Sequence, residues 1–504
     1  MKSKLKELKT RLFEVYDLES AAAVLAWDQR SYMPPGGAQA RARQIGALQR
    51  LAHQKFTDPA IGKLLDDLRP YEEGLPYDSD DASLIRVTRR DYETATRIPT
   101  AFKAEYDHNA AMTYQVWTRA RAGDDFAAVR PYLEKTLDLS RRYAAFFPEA
   151  GQVIDPLVAI SDEGVTGAYL SRLFDDLRAN LIPLARAIAE RPAPDVACLH
   201  QRFPAAQQLA FGLEIVQRLG YDLARGREDL SDHPITTSIS FDDVRITTRV
   251  NEYDPTGALF GSLHEAGHAI YGQNIRQELE GTPIGRGATA GVHESQSRLW
   301  ENLVGRSREF WSYAYPRMQA VFADQLGDVP LEAFYRAINR VAPGLFRVGA
   351  DEVTYSLHCA MRFQLEVDLL EGRVAVGHLP QVWRERFWEN FGIAPANDRD
   401  GVLQEMNWYC GRIGGLYQHF TLGNLMSAVW FDAATQAHPE IRAEMAQGCF
   451  DTLRRWLTAN IHTHGRKFTI PELVERVTGG PLTIDAYVGY LKQKYGALYG
   501  LSFD

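Results

Sequence analysis

Apolar residues recur at three- and four-residue intervals along most of this chain, a spacing that restricts it to a predominantly helical fold. Leu170, Leu173, Leu177, Leu181 and Leu184 form one such stripe, which reads as the core-facing side of a helix. Proline and glycine cluster in a few places, among them Pro70 to Pro76, Arg191-Pro192-Ala193-Pro194 and Gly392-Ile393-Ala394-Pro395. None is long or biased enough for a flexible interdomain linker, and the chain shows no fixed-period repeat. One segment breaks the pattern, from Thr237-Ser238-Ile239-Ser240-Phe241 on to Val250. Val244, Ile246, Thr248 and Val250 alternate there with Arg245, Thr247 and Arg249, which predicts a strand with one exposed face. Such a strand could pair with an extended peptide.

Composition excludes several classes of function. The 504 residues carry a formal net charge of −9, which gives no support for nucleic acid or an anionic membrane as partner. Cys198, Cys359, Cys410 and Cys449 are scattered with no C-x-x-C pair, so neither a disulfide framework nor a cysteine zinc site is expected. At the start, Lys2, Lys4, Lys6 and Lys9 interleave with Leu5, Leu8 and Leu12, the pattern of an amphipathic helix rather than a signal peptide. The apolar stretch from Ala21 to Ala26 is far too short to cross a bilayer. The expected location is the cytoplasm.

His264-Glu265-Ala266-Gly267-His268 is an H-E-x-x-H motif. On a helix, positions four apart share a face, so both imidazoles can reach one ion. Glu265 then lies beside the open metal position, where a carboxylate can take a proton from water. Local signals favour the helix: Asp254 suits the N-cap, Pro255 the first turn, and Leu259, Leu263 and Ile270 an apolar face. The bland alternative is two surface histidines on a core helix. Two histidines leave a zinc site one protein ligand short. Spacing leaves Glu278, Glu280, Glu294 and Glu301 all open as the third, and Glu294 could equally be a surface partner of Arg298.

The pair of segments His264–His268 and His293-Glu294-Ser295-Gln296, with 26 residues from His268 to Glu294, resembles the carboxypeptidase Taq family of metallocarboxypeptidases. The resemblance spans nearly the whole chain. It includes Trp27-Asp28-Gln29 with Met33-Pro34, Asp243-Val244-Arg245-Ile246-Thr247, Arg347 to Tyr355, Asn460-Ile461-His462 and Glu472 to Gly479. The resemblance implies a mainly α, large helical, zincin-like (gluzincin) metallopeptidase with a small β-sheet beside the active-site groove. Residues 1–504 would form a single catalytic unit, with the helical N-terminal part covering that groove. It selects His264, His268 and Glu294 as ligands of one divalent ion, Zn²⁺ or alternatively Co²⁺ or Mn²⁺, and Glu265 as general base. It also points to Arg347 as receiver of the substrate's C-terminal carboxylate, since a guanidinium grips a carboxylate with two parallel hydrogen bonds. For Arg347 the bland alternative is a salt bridge to Asp351 or Glu352. A homodimer is implied by the resemblance alone.

Some segments depart from the family. Its H-P-F is His233-Pro234-Ile235 here, and its G-x-x-Q-D-x-H-W is Gly401 to Trp408 with Glu405 for Asp and Asn407 for His. The following G-Y-F-P-x-Y-x-L-G is Gly415 to Gly423, lacking the proline and with its tyrosine displaced. If that tyrosine and histidine serve the substrate, Tyr417, His419 or Asn407 must replace them. The expected function is removal of C-terminal residues from peptides with a free C-terminus by metal-activated water. An oligopeptidase or endopeptidase on the same site, and a non-catalytic metal-dependent peptide-binding protein, are the rival readings.

Overall fold

The computed structural model describes residues 1–503, which divide into two compact units built from non-contiguous segments. The first takes Met1–Thr96, Asp195–Ile338 and Trp430–Gly479; the second takes Arg97–Pro194, Asn339–Val429 and the chain from Gly480 onward. Both are mainly helical, as the apolar spacing predicts.

In the second unit the leucine stripe lies on the helix Gly167–Ala189, with all five leucines buried and the Thr166 hydroxyl accepting from the Tyr169 N–H at its start. Each buried leucine contributes about 1.5–3 kcal/mol of transfer free energy. Phe174 from this helix meets Phe363 of the helix Tyr355–Leu370 edge-on at 5.0 Å between ring centroids. The helix Tyr355–Leu370 is buried along almost its whole length, so its polar residues must find partners inside the protein.

The first unit begins with the amphipathic helix Lys2–Ser31, whose buried face is Leu5, Leu8, Leu12 and Val15. Three strands follow later in the chain: β1 (Glu228–Leu230), β2 (Thr236–Ser240) and β3 (Asp243–Thr248). The order is β1-β3-β2, with β1 parallel and β2 antiparallel to β3. The alternation from Val244 falls on β3, and residues 237–241 of the same non-helical segment supply most of a second strand, β2. The chain turns back after Ser240, so Thr237 pairs with Arg245 instead of extending toward it. The strand order corrects the expectation that the stretch from Val244 could take up a peptide. β3 is the central strand with partners on both sides, and even Thr247, expected on an exposed face, is fully buried. The N-terminal helix lies against β2, where the Ser20 hydroxyl donates to the Ile239 carbonyl at 2.8 Å.

Beyond β3 comes the helix Pro255–Gln273. Asp254 caps it, accepting from the Thr256 and Gly257 N–H groups at 3.0 and 3.1 Å, with Pro255 in the first turn. Residues are buried around the full circumference of this helix, so it is a core element rather than a surface one. The Thr248 hydroxyl ties the end of β3 to it through the Ala258 carbonyl.

Candidate metal centre

The helix Ala290–Arg298 packs directly on the helix Pro255–Gln273, and Gly267 sets how close they come. A Cβ at Gly267 would stand 2.6 Å from both the Gln296 carbonyl oxygen and the Ser297 Cα. The variable position inside H-E-A-G-H is therefore held to glycine by a backbone approach. The second helix is fixed in turn by its own motif residues. Thr289 caps it, the Ser295 hydroxyl accepts from Trp430 Nε1 at 3.0 Å, and the Gln296 side-chain carbonyl meets His462 Nε2 at 2.8 Å.

This packing delivers Glu294 to the two histidines. One ligand atom from each of His264, His268 and Glu294 lies within 4.8 Å of the others. Glu294 Oε2 is 3.8 Å from His264 Nε2 and 3.7 Å from His268 Nε2. Ligands about 2.1 Å from a tetrahedral ion stand about 3.4 Å apart, so the set fits one ion with little adjustment. The other atoms of the three side chains are committed elsewhere. Glu294 Oε1 accepts from Arg298 Nε at 2.7 Å, His264 Nδ1 meets Glu301 Oε2 at 2.9 Å, and His268 Nδ1 meets His293 Nδ1 at 3.3 Å. Each imidazole thus turns Nε2 toward Glu294, and the carboxylate offers a single oxygen.

The four carboxylates left open by spacing are now distinguished. Glu278 is exposed on a short turn, and Glu280 accepts from the Phe241 N–H and the Gln277 amide. Glu301 lies behind His264 because a π-helical turn, Leu299–Val304, follows the helix that carries Glu294. Burial would raise the Glu301 carboxyl, but Arg298 and His264 outweigh it and hold it down at about 2. Arg298 also donates to Glu301 Oε2 at 3.2 Å, bridging it to Glu294. The i,i+4 pairing of Glu294 with Arg298 is therefore real, but buried and compatible with a ligand role.

Glu265 lies on the helix Pro255–Gln273 with the two histidines, and its Oε2 accepts from the Thr236 hydroxyl at 2.6 Å. Burial pushes its carboxyl above the ordinary range, against the influence of His264 and that hydrogen bond. Arg298 pairs with Glu294 and Glu301, and Arg306 stands 3.8 Å from Glu301, yet, burial notwithstanding, Glu294 and Glu301 still raise the proton affinity of His264, so positive charge is favoured between these carboxylates. His268 is pushed well below its usual value, first by burial and then by His264 and His293, so it stays neutral and able to act as a ligand. Thr236 and His293 escaped the sequence reading as partners of this site. Only their place near recognised segments hinted at them.

The expected substrate residues all lie in the second unit. Arg347 donates to the Tyr355 hydroxyl at 2.8 Å, and its guanidinium stands 4.4 Å from the Phe420 ring centroid and 5.7 Å from that of Tyr417. Asp351 accepts from the Val353 and Thr354 N–H groups and the Thr354 hydroxyl, while Glu352 is held by Tyr490, Lys494 and Tyr495. Tyr417 is fully buried, with its hydroxyl 3.3 Å from Asn407 Nδ2. His419 is half-buried against Phe420.

Residues 7–495 match the family model described as carboxypeptidase Taq (M32) metallopeptidase. The chain belongs to this family. As a metallocarboxypeptidase, it is a hydrolase acting on peptides, and the rival readings are not favoured. It is 40% identical over 497 residues to thermostable carboxypeptidase 1 of Thermus thermophilus, covering 96% of each chain. It is 34% identical over 495 residues to carboxypeptidase 1 of Bacillus subtilis, covering 98% of each. A crystal structure of the M32 carboxypeptidase from Deinococcus radiodurans R1 superposes with a TM-score of 0.96 at 45% identity, covering 99% of this chain and 100% of that one. Among the described residues no helix is long and apolar enough to cross a membrane.

Proposed function

We propose that this metallocarboxypeptidase holds one Zn²⁺ with His264, His268 and Glu294, uses Glu265 as general base, and binds the substrate's C-terminal carboxylate through Arg347. The observation that carries the proposal is the convergence of two imidazole Nε2 atoms and one carboxylate oxygen beside Glu265. When bound there, a divalent ion supplies Lewis acidity and makes water a better nucleophile at neutral pH. Co²⁺ or Mn²⁺ suit the same donors.

The chain's own groups account for the proton movements. Glu265, oriented by Thr236, accepts a proton from the attacking water and passes it to the departing amine. Its raised affinity for protons, caused by burial, suits a group that must both take and return one. Glu301, His293 and Arg298 keep the ligand side chains turned inward. Arg347, with its two-pronged donor geometry, gives the preference for a free C-terminus. Tyr417 and His419 complete this substrate side, Tyr417 through the ring that stands 5.7 Å from the Arg347 guanidinium.

The proposal extends to the whole chain working as a single catalytic unit, with its N-terminal helical part over the groove, as a cytoplasmic homodimer. The four free cysteines accord with a reducing compartment. Peptides with free and with amidated C-termini, digested by metal-loaded protein and read by mass spectrometry, test the reading. Stepwise loss of terminal residues from the free peptide alone supports it; internal cleavage of both peptides would establish the endopeptidase.

A further inference from the structure

The helix Tyr355–Leu370 places Tyr355, Arg362 and Glu366 on one face, at offsets of seven and four residues. Two of them grip the segment in which this chain departs from its family. Arg362, fully buried, donates from Nε to Glu405 Oε2 at 2.5 Å and from Nη2 to Gln404 Oε1 at 3.1 Å. One turn further, Glu366 accepts from Trp408 Nε1 at 3.0 Å and from the Leu416 N–H at 3.4 Å. The stretch from Gln404 to Leu416 is thus clamped at both ends by one rigid element.

Asn407 sits between the clamps. Its Nδ2 lies 3.3 Å from Glu405 Oε1 and 3.3 Å from the Tyr417 hydroxyl. An ionised carboxylate only accepts, so the atom facing Glu405 must be the amide nitrogen, and the same nitrogen donates to the Tyr417 oxygen. One side chain thereby links the buried Arg362–Glu405 pair to Tyr417. The Tyr417 ring has the Arg362 guanidinium 5.9 Å and the Arg347 guanidinium 5.7 Å from its centroid. Arg347 is held further by Phe420 and by the Tyr355 hydroxyl at the start of the same helix.

We propose that Asn407 is a positioning residue for recognition of the substrate's C-terminal carboxylate, acting through the Tyr417 ring on Arg347. The proposal rests on the assignment of Arg347 to that carboxylate. It gives the departure from histidine a consequence: Asn407 offers two donors from one nitrogen, so Glu405 and Tyr417 are served together.

The test uses the metal-loaded full chain and a short peptide with a free C-terminus, measuring kcat and KM for N407A, Y417F, the double variant N407A/Y417F, and R347Q. N407A and Y417F cut the same link, so each should raise KM about three- to tenfold with kcat changed by less than about twofold. The double variant should be no worse than either alone, because the second change finds nothing left to break. Unchanged KM in both single variants, additive effects in the double, or a fall in kcat at constant KM would each overturn the proposal. R347Q separates the two levels: a large rise in KM there with unaltered N407A and Y417F removes only the positioning role, whereas unaltered KM in R347Q removes the Arg347 assignment beneath it.

Discussion

The approach of two helices at Gly267 makes a single-methyl change a sharp probe of the metal centre. In Gly267→Ala the new Cβ would lie 2.6 Å from the Ser297 Cα and from the Gln296 oxygen, both of them backbone atoms that no rotamer change can move. That is roughly 0.9 Å inside the ~3.5 Å of a good carbon contact. The helix carrying Glu294 must shift away by most of that amount or the strain must be held in place. Overpacking of this kind costs about 1–3 kcal/mol of stability. Ligand distances tolerate about 0.2 Å, so the same shift disrupts the set formed with His264 and His268. Divalent-ion affinity should fall at least about tenfold, the low end for loss of a supporting contact. Urea unfolding in the presence of a chelator reads the stability, and competition against a zinc-binding dye reads the affinity. Gly489→Ala is the control: it lies exposed within the helix Asp485–Tyr499 with nothing within 4 Å of its Cβ, and should stabilise by about 0.5–1 kcal/mol. A Gly267→Ala protein with wild-type stability and wild-type zinc affinity would show that helix separation does not set the site.

Other expectations follow from the same geometry. Glu265→Gln should lower kcat by about 10²–10⁴-fold while still binding one equivalent of metal, measured by peptide hydrolysis and elemental analysis on the same sample. Glu301→Gln, which weakens the partner of His264 Nδ1, should reduce zinc affinity about 10–100-fold in dye competition; an unchanged value would remove Glu301 from the support of the site. Burial raises the Glu366 carboxyl to about 7 despite the donors Trp408 and Leu416, so the folded state binds this proton more tightly than the unfolded chain does. Its contribution is fully present below the unfolded value near 4.5 and is lost as pH rises through about 7, by on the order of 3 kcal/mol. Denaturant titrations from pH 5 to pH 8 should therefore show Glu366→Gln gaining on wild type as pH rises, and parallel curves would contradict this.

What could be read from the sequence was local. The Asp254 cap, Pro255, the four-residue spacing of His264 and His268 and the leucine stripe from Leu170 all depend on neighbours within a turn or two, and all lie in helices as expected. Glu294 could not be separated from Glu278, Glu280 or Glu301 by spacing, because its approach depends on two helices meeting at Gly267 and on a π turn displacing Glu301. Resemblance chose Glu294 where spacing could not. The small sheet and its strand from Val244 are present as expected, but that strand's exposed face was not found, for a related reason: alternation marks strands but not their order. β1, which makes β3 central, pairs across more than a dozen residues and is only three residues long. Thr236 reaches Glu265 from β2, across 29 residues of sequence, where the sheet lies against the helix, so no spacing rule points to it.

Anomalous diffraction at the zinc edge, from a crystal of the zinc-loaded protein, locates the ion and its ligands outright. One strong peak per chain is expected about 2.0–2.2 Å from Nε2 of His264, Nε2 of His268 and Oε2 of Glu294. A fully loaded crystal whose peak lies elsewhere, or with Glu301 rather than Glu294 in contact with it, would mean that these three side chains are not the ligand set.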